Sequence, residues 1–136
     1  MENERLQKKQ QLEDRTKRFA IAVFKMLKDI PYDVSTKVIG YQIGKSASSI
    51  GANYREANRC ESKEDFIHKI SIVLKEASET LYWLEILQEL YPTNDKLTGL
   101  RKESNELVCI FQAVRKSLIT KSQNKQTQQS VNRSIG

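Results

Sequence analysis

The sequence is short of the residue types from which reactive sites are built. Its 136 residues include one histidine, two cysteines, two prolines, five glycines and one tryptophan, and aromatics make up 7%. A di-iron centre in a helical bundle needs two Glu-x-x-His pairs and two further carboxylates. His68, preceded at i−3 by Asp65, cannot supply that alone. The same scarcity argues against Ser-His and Cys-His catalysis. His68 with Cys60 and Cys109 falls short of a structural zinc set. Gly44-Lys45-Ser46 looks like the end of a phosphate-binding loop. That loop needs four residues between its glycines, whereas Gly40 and Gly44 enclose three, in a helical pattern with no strand before them. The expectation is a non-enzyme with no catalytic residue, no cofactor and no bound metal.

Long apolar runs are also missing. None approaches the ~20 residues needed to span a bilayer. Met1-Glu2-Asn3-Glu4-Arg5 is polar with no apolar core behind it, which speaks against a secretory signal. A cytoplasmic, bacterial-type protein follows, with Cys60 and Cys109 reduced and buried as small hydrophobes.

What is present is helical periodicity and charge. Hydrophobic residues make up 38% of the chain and charged residues 29%. In the first segment, about Leu12 to Asp29, Phe19, Ala22, Val23, Met26, Leu27 and Ile30 form one apolar stripe. Pro31 stops it. The second, capped by Ser35 and running to about Asn58, places Ile39, Ile43, Ala47, Ile50, Tyr54 and Ala57 on one face. Gly40, Gly44 and Gly51 lie near one side of it. Each costs about 1 kcal/mol against alanine in a helix, so they predict close approach by another helix, or else weak propensity tolerated by packing. The third starts at Ser62, with Asp65 in a capping-box position. It carries Phe66, Ile70, Val73, Leu74, Ala77, Leu81, Leu84 and Leu87, and Pro92 ends it. The fourth starts near Thr93-Asn94-Asp95, with Leu97, Leu100, Ser104, Leu107, Val108, Phe111, Val114 and Leu118 facing the core. Short connections between long helices predict an all-α, antiparallel up-down-up-down four-helix bundle over residues 12–119. Residues 1–11 and the polar stretch 120–136 are expected to be flexible segments outside it.

The net charge of +6 is uneven. Residues 1–30 carry eight Lys/Arg against five Asp/Glu, residues 31–60 four against two, residues 61–92 three against seven, and residues 93–136 eight against three. The pattern suits anionic ligands or the packing of acidic against basic helices, and the tally leaves both open. Phosphate contacts need Lys and Arg on an accessible surface. The candidates are Arg15, Lys17, Arg18, Lys25 and Lys28 on the first helix, and Arg101, Lys102, Arg115, Lys116 and Lys121 on the fourth. Few aromatics accompany them, which favours backbone or shape recognition over base stacking. Asn53, Glu56, Glu76 and Glu79 sit beside the apolar stripes. They form either a structural polar network setting register between helices or subunits, a ligand site, or an ordinary exposed face. Apolar residues beyond one stripe, such as Ile67, Trp83, Ile86 and Ile110, predict a homo-oligomer.

The run Ser46-Ala47-Ser48-Ser49-Ile50-Gly51-Ala52-Asn53-Tyr54-Arg55-Glu56-Ala57 resembles the signature of the four-helix-bundle proteins encoded in intervening sequences of bacterial 23S rRNA genes. Ser62-Lys63-Glu64-Asp65-Phe66-Ile67 and Lys75-Glu76-Ala77-Ser78-Glu79-Thr80-Leu81-Tyr82-Trp83-Leu84 are similar to that family's third helix. Ala57 departs from the glycine many members carry. The likeness spans roughly Phe19 to Leu118. The family is similar in fold to the accessory variability protein of diversity-generating retroelements, a basic pentamer that associates with nucleic acid and a reverse transcriptase. For this chain the resemblance implies a homo-oligomer, most naturally a pentamer, with RNA as a partner. The alternative is a protein-interaction scaffold, for example an accessory subunit for a reverse transcriptase, with Trp83, Tyr82 and the acidic third helix as its contact surface.

Overall fold

The computed structural model describes residues 1–135, without the side chain of Ile135. The last residue of the expected tail, Gly136, lies outside the described residues. Among the described residues there are four helices and no strand: α1 Glu2–Lys28, α2 Val34–Ala57, α3 Lys63–Leu90 and α4 Asp95–Ile135. The connections are short, so sequence neighbours pack antiparallel. Each helix packs on the next, α4 returns to α1, and α2 with α3 forms the most extensive pair.

The caps show why the helices begin where they do. Asp33, not the expected Ser35, caps α2. Its side chain accepts from the Thr36 amide at 2.9 Å, and the Thr36 hydroxyl accepts from the Asp33 amide at 2.8 Å. A reciprocal pair satisfies two amides that helix geometry leaves free, and Ser35 falls inside the first turn. Ser62 caps α3 by accepting from the Asp65 amide. Asn94 accepts from the Leu97 amide at the start of α4.

The apolar stripes meet in one core. All six stripe residues of α2 are buried, from Ile39 to Ala57. They pack with Phe19, Val23 and Met26 of α1, Ile70, Val73, Ala77, Leu84 and Leu87 of α3, and Leu97, Leu107, Val108 and Phe111 of α4. Tyr54 and Phe111 meet edge-on across the diagonal, with ring centroids 5.3 Å apart. Ala22, expected in the core, is exposed. Cys109 is exposed as well, against the expectation for a buried thiol. It lies half a turn from Leu107 and Phe111, so their burial turns it outward. Cys60 is half-buried, and both thiols are free.

The predicted close approach at the α2 glycines is present, and α1 is the helix that approaches. A Cβ on Gly51 would stand 3.0 Å from Thr16 Oγ1, and one on Gly44 3.1 Å from the Phe24 ring. Helix extent differs from the reading of the stripes. α1 begins at Glu2 and α4 continues through 41 residues to Ile135. No proline occurs in residues 1–30 or 93–136, and the polar residues there are mostly tolerable helix formers, so nothing interrupts the backbone hydrogen bonds.

Candidate nucleic-acid interface

The basic residues of α1 divide by where the core leaves them. Phe19, Val23 and Met26 fix the inward face. Lys17, Arg18, Lys25 and Lys28 therefore fall on the opposite side and are exposed. No ion pair holds any of the four among the described residues. Arg15 is different. It faces α4, where Nε donates to Glu103 at 2.8 Å and Nη2 reaches both Glu103 and Glu106. This arrangement raises the Arg15 pKa, chiefly through the Glu103 hydrogen bond. It also holds the Glu103 carboxyl below the usual carboxylate range.

The α4 candidates divide in the same way. Arg101, Lys102, Lys116 and Lys121 are exposed. Arg115 is half-buried and donates from Nε to the Ser71 hydroxyl of α3 at 2.9 Å. Of the ten basic candidates, eight are free cations and two are tied to neighbouring helices.

A groove of about 380 Å³ runs between α1 and α2. Ala20, Ser48, Gly51 and Ala52 line it together with Lys17, Arg55 and Arg59. The small residues that let α1 approach α2 also leave this hollow. Glu13 and Asp14 line it too, and Glu13 lies 3.9 Å from Arg55 Nε, so its charge is mixed. Sequence reasoning did not select Arg55 and Arg59. The small-residue spacing of α2 was the signal that could have marked the groove they border.

Asn53, Glu56, Glu76 and Glu79 make no hydrogen bond to one another. The Asn53 amide donates to the Ser49 carbonyl at 2.8 Å. Glu56 pairs with Lys69 of α3 at 2.6 Å. Burial and then the nearby Glu79 carboxylate push the Glu76 carboxyl up, with Lys75 and Lys45 opposing. The buried polar link between α2 and α3 is instead Ser46 with Thr80, at 2.8 Å.

Residues 8–113 match the family model described as 23S rRNA-intervening sequence protein. The chain belongs to that family. A solved structure supports the same placement: a protein with unknown function from the S23 ribosomal protein family of Bacteroides thetaiotaomicron, 36% identical. The match covers 76% of this chain and 97% of that one, with a TM-score of 0.69. No curated relative matches the chain. The family match ends near the middle of α4, at residue 113, and includes every basic candidate except Arg115, Lys116 and Lys121. Among the described residues, no helix is long and apolar enough to cross a membrane.

Proposed function

We propose that this chain is a non-enzymatic, cytoplasmic, homo-oligomeric bundle that associates with RNA through the basic faces of α1 and α4. One observation carries the reading: Lys17, Arg18, Lys25 and Lys28 share one outward face with no carboxylate paired to any of them. Acidic side chains concentrate instead on α3, with six Asp/Glu against three Lys from Lys63 to Leu90. A surface of free cations suits phosphates, and their binding releases condensed counterions.

Oligomerisation is supported by exposed apolar residues that the bundle itself does not use. Phe24 packs over Gly44 and remains 47% exposed, and Tyr41, one turn before Lys45, is 68% exposed. Tyr32 and Tyr41 edge a shallow hollow with Leu27 and Gly40, and Val34 and Val38 are exposed nearby in sequence. Exposed apolar side chains gathered in this way mark contact surfaces. A pentamer is the assembly the sequence resemblance implies.

Filter binding of RNA at about 50 mM salt tests the reading. Saturable retention is expected, weakening with salt. Lys17→Ser with Arg18→Ser and Lys25→Ser should flatten the log–log salt slope by about two units, at roughly 0.7 per single-strand phosphate. No retention at micromolar protein would sink it. Light scattering should give several times 15.7 kDa, and a monomer would remove the oligomer from the proposal.

A second reading has its own observation. Tyr82, 57% exposed, meets half-buried Trp83 edge-on at 5.3 Å, beside Glu85 and Glu89. Aromatic pairs of this kind anchor protein interfaces. They favour a scaffold role, such as an accessory subunit for a reverse transcriptase. Tyr82→Ala would then abolish partner capture without altering RNA retention.

A further inference from the structure

The far end of α4 carries a consequence of its own. At 1.5 Å per residue, α4 is about 60 Å long and α3 about 42 Å. The last side chains that tie α4 to the bundle are Arg115, through Ser71, and Leu118, packed against the core. From Thr120 to Ser134 every residue but Ser122 is exposed. This arm also lies beyond the family match, which ends at residue 113.

The arm continues the core stripe in register while changing its chemistry. Leu107, Phe111, Val114 and Leu118 recur at spacings of four, three and four. The same face then bears Lys121, Lys125, Gln129, Asn132 and Arg133, at continued helical spacing. Consecutive lysines at seam positions repel across a self-paired coil, so a second copy is a poor occupant. Val131 is the one exposed large apolar side chain of the arm among the described residues, which leaves little to anchor a protein interface. No Asp or Glu follows Glu106 in the sequence. The final 30 residues thus carry five Lys/Arg and no opposing charge, and no ion pair among the described residues extends past Glu106. Cations and amide donors along one stripe complement a polyanion.

We propose that this projecting arm is an RNA-binding element, gripping the sugar-phosphate backbone with Lys121, Lys125 and Arg133 while Gln129 and Asn132 hydrogen-bond between them. It rests on the RNA reading above and adds a contact site that is an extension of this chain beyond the family's shared bundle.

Fluorescence anisotropy on the full chain, with a labelled 20-nucleotide RNA of mixed sequence, tests it. Lys121→Ser, Lys125→Ser and Arg133→Ser together should flatten the salt slope by about two units. The arginine variants Lys121→Arg and Lys125→Arg should keep it, since charge and not shape is required. These positions lie outside the core, so unchanged light scattering and unfolding midpoint confirm an intact bundle. If the wild type binds and the triple variant keeps its slope within half a unit, the arm is not the element, while the α1 face still stands. If the wild type binds no RNA, the RNA reading fails and the arm falls with it. Tighter binding of duplex DNA of equal length would overturn RNA as the occupant.

Discussion

Gly51 and Thr16 meet where α2 crosses α1: a Cβ on Gly51 would lie 3.0 Å from Thr16 Oγ1 and 3.4 Å from the Thr16 carbonyl carbon. The hydroxyl cannot swing away freely, because it is within 2.9 Å of both the Leu12 and Glu13 carbonyls. Alanine would gain about 1 kcal/mol of helix propensity, but overpacking typically costs about 1–3 kcal/mol. Gly51→Ala should therefore lower stability by about 1 kcal/mol in urea unfolding. Gly99→Ala should raise it by up to about 1 kcal/mol, since a Cβ there meets nothing within 4 Å. Equal effects at the two sites would contradict this account.

The Ser46–Thr80 contact is the one fully buried side-chain hydrogen bond between α2 and α3. Thr80 Oγ1 also lies 2.7 Å from the Glu76 carbonyl, and Ser46 Oγ 3.3 Å from the Ile43 carbonyl. Each hydroxyl thus keeps a local partner when the other is removed. Ser46→Ala and Thr80→Val should each cost about 1 kcal/mol. A double-mutant cycle should show coupling of at least about 0.5 kcal/mol, and strict additivity would show that the contact contributes nothing.

Arg15→Met should reduce stability more than RNA retention. Arg15 and Glu103 are about one-third exposed and Glu106 about two-thirds, so solvent screening limits the cluster to about 1 kcal/mol. Glu103 has its carboxyl pKa lowered by folding, so its contribution is present above the ordinary value of 4.5 and is lost as pH falls through the lower folded value. Wild type and variant should differ in melting temperature at pH 7 and converge only once acid has taken Glu103 through its lowered folded value. A gap that persists there would rule out the ion pair as its source.

Glu76 predicts the opposite trend. Burial and Glu79 raise its pKa, so folding favours the protonated form, and stability falls as pH rises through its titration from the ordinary 4.5 upward. Glu76→Gln should raise the melting temperature at pH 7, with the gain vanishing in acid. Glu79→Gln removes the neighbouring charge and should give a smaller gain. A lower melting temperature for both would mean that the carboxylates are held by partners, as a register-setting network would require.

The core was legible where burial follows apolar spacing. The α2 stripe from Ile39 to Ala57 was readable to the residue, because six apolar side chains recur on one face. Thr16, Ser46 and Thr80 were not selected, although all three are buried. A hydroxyl in a helix can bond to a carbonyl of its own preceding turn, so it enters a core without a distant partner. Asp33 displaced Ser35 as the cap because Thr36 completes a reciprocal pair, a relation spread over three residues. The basic candidates were legible as charge but not as free charge. Only geometry separates Arg15, turned toward α4, from Lys17, turned to solvent.

The seam between α1 and α4 is closed at two places by charge: Arg15 with Glu103 and Glu106, and Asp29 with Lys96 at 2.8 Å. The second pair is exposed on both sides, and at 0.15 M salt the screening length is only about 8 Å. Added salt therefore weakens this clasp, and on the proposed RNA reading it would also weaken phosphate contacts on the outer faces of the same two helices. On that reading, an ionic-strength titration of binding would act on the protein's own α1–α4 ion pairs as well as on its phosphate contacts. Amide exchange along α1, followed across the same salt series without RNA, would separate the loosening of the protein from the loss of the ligand.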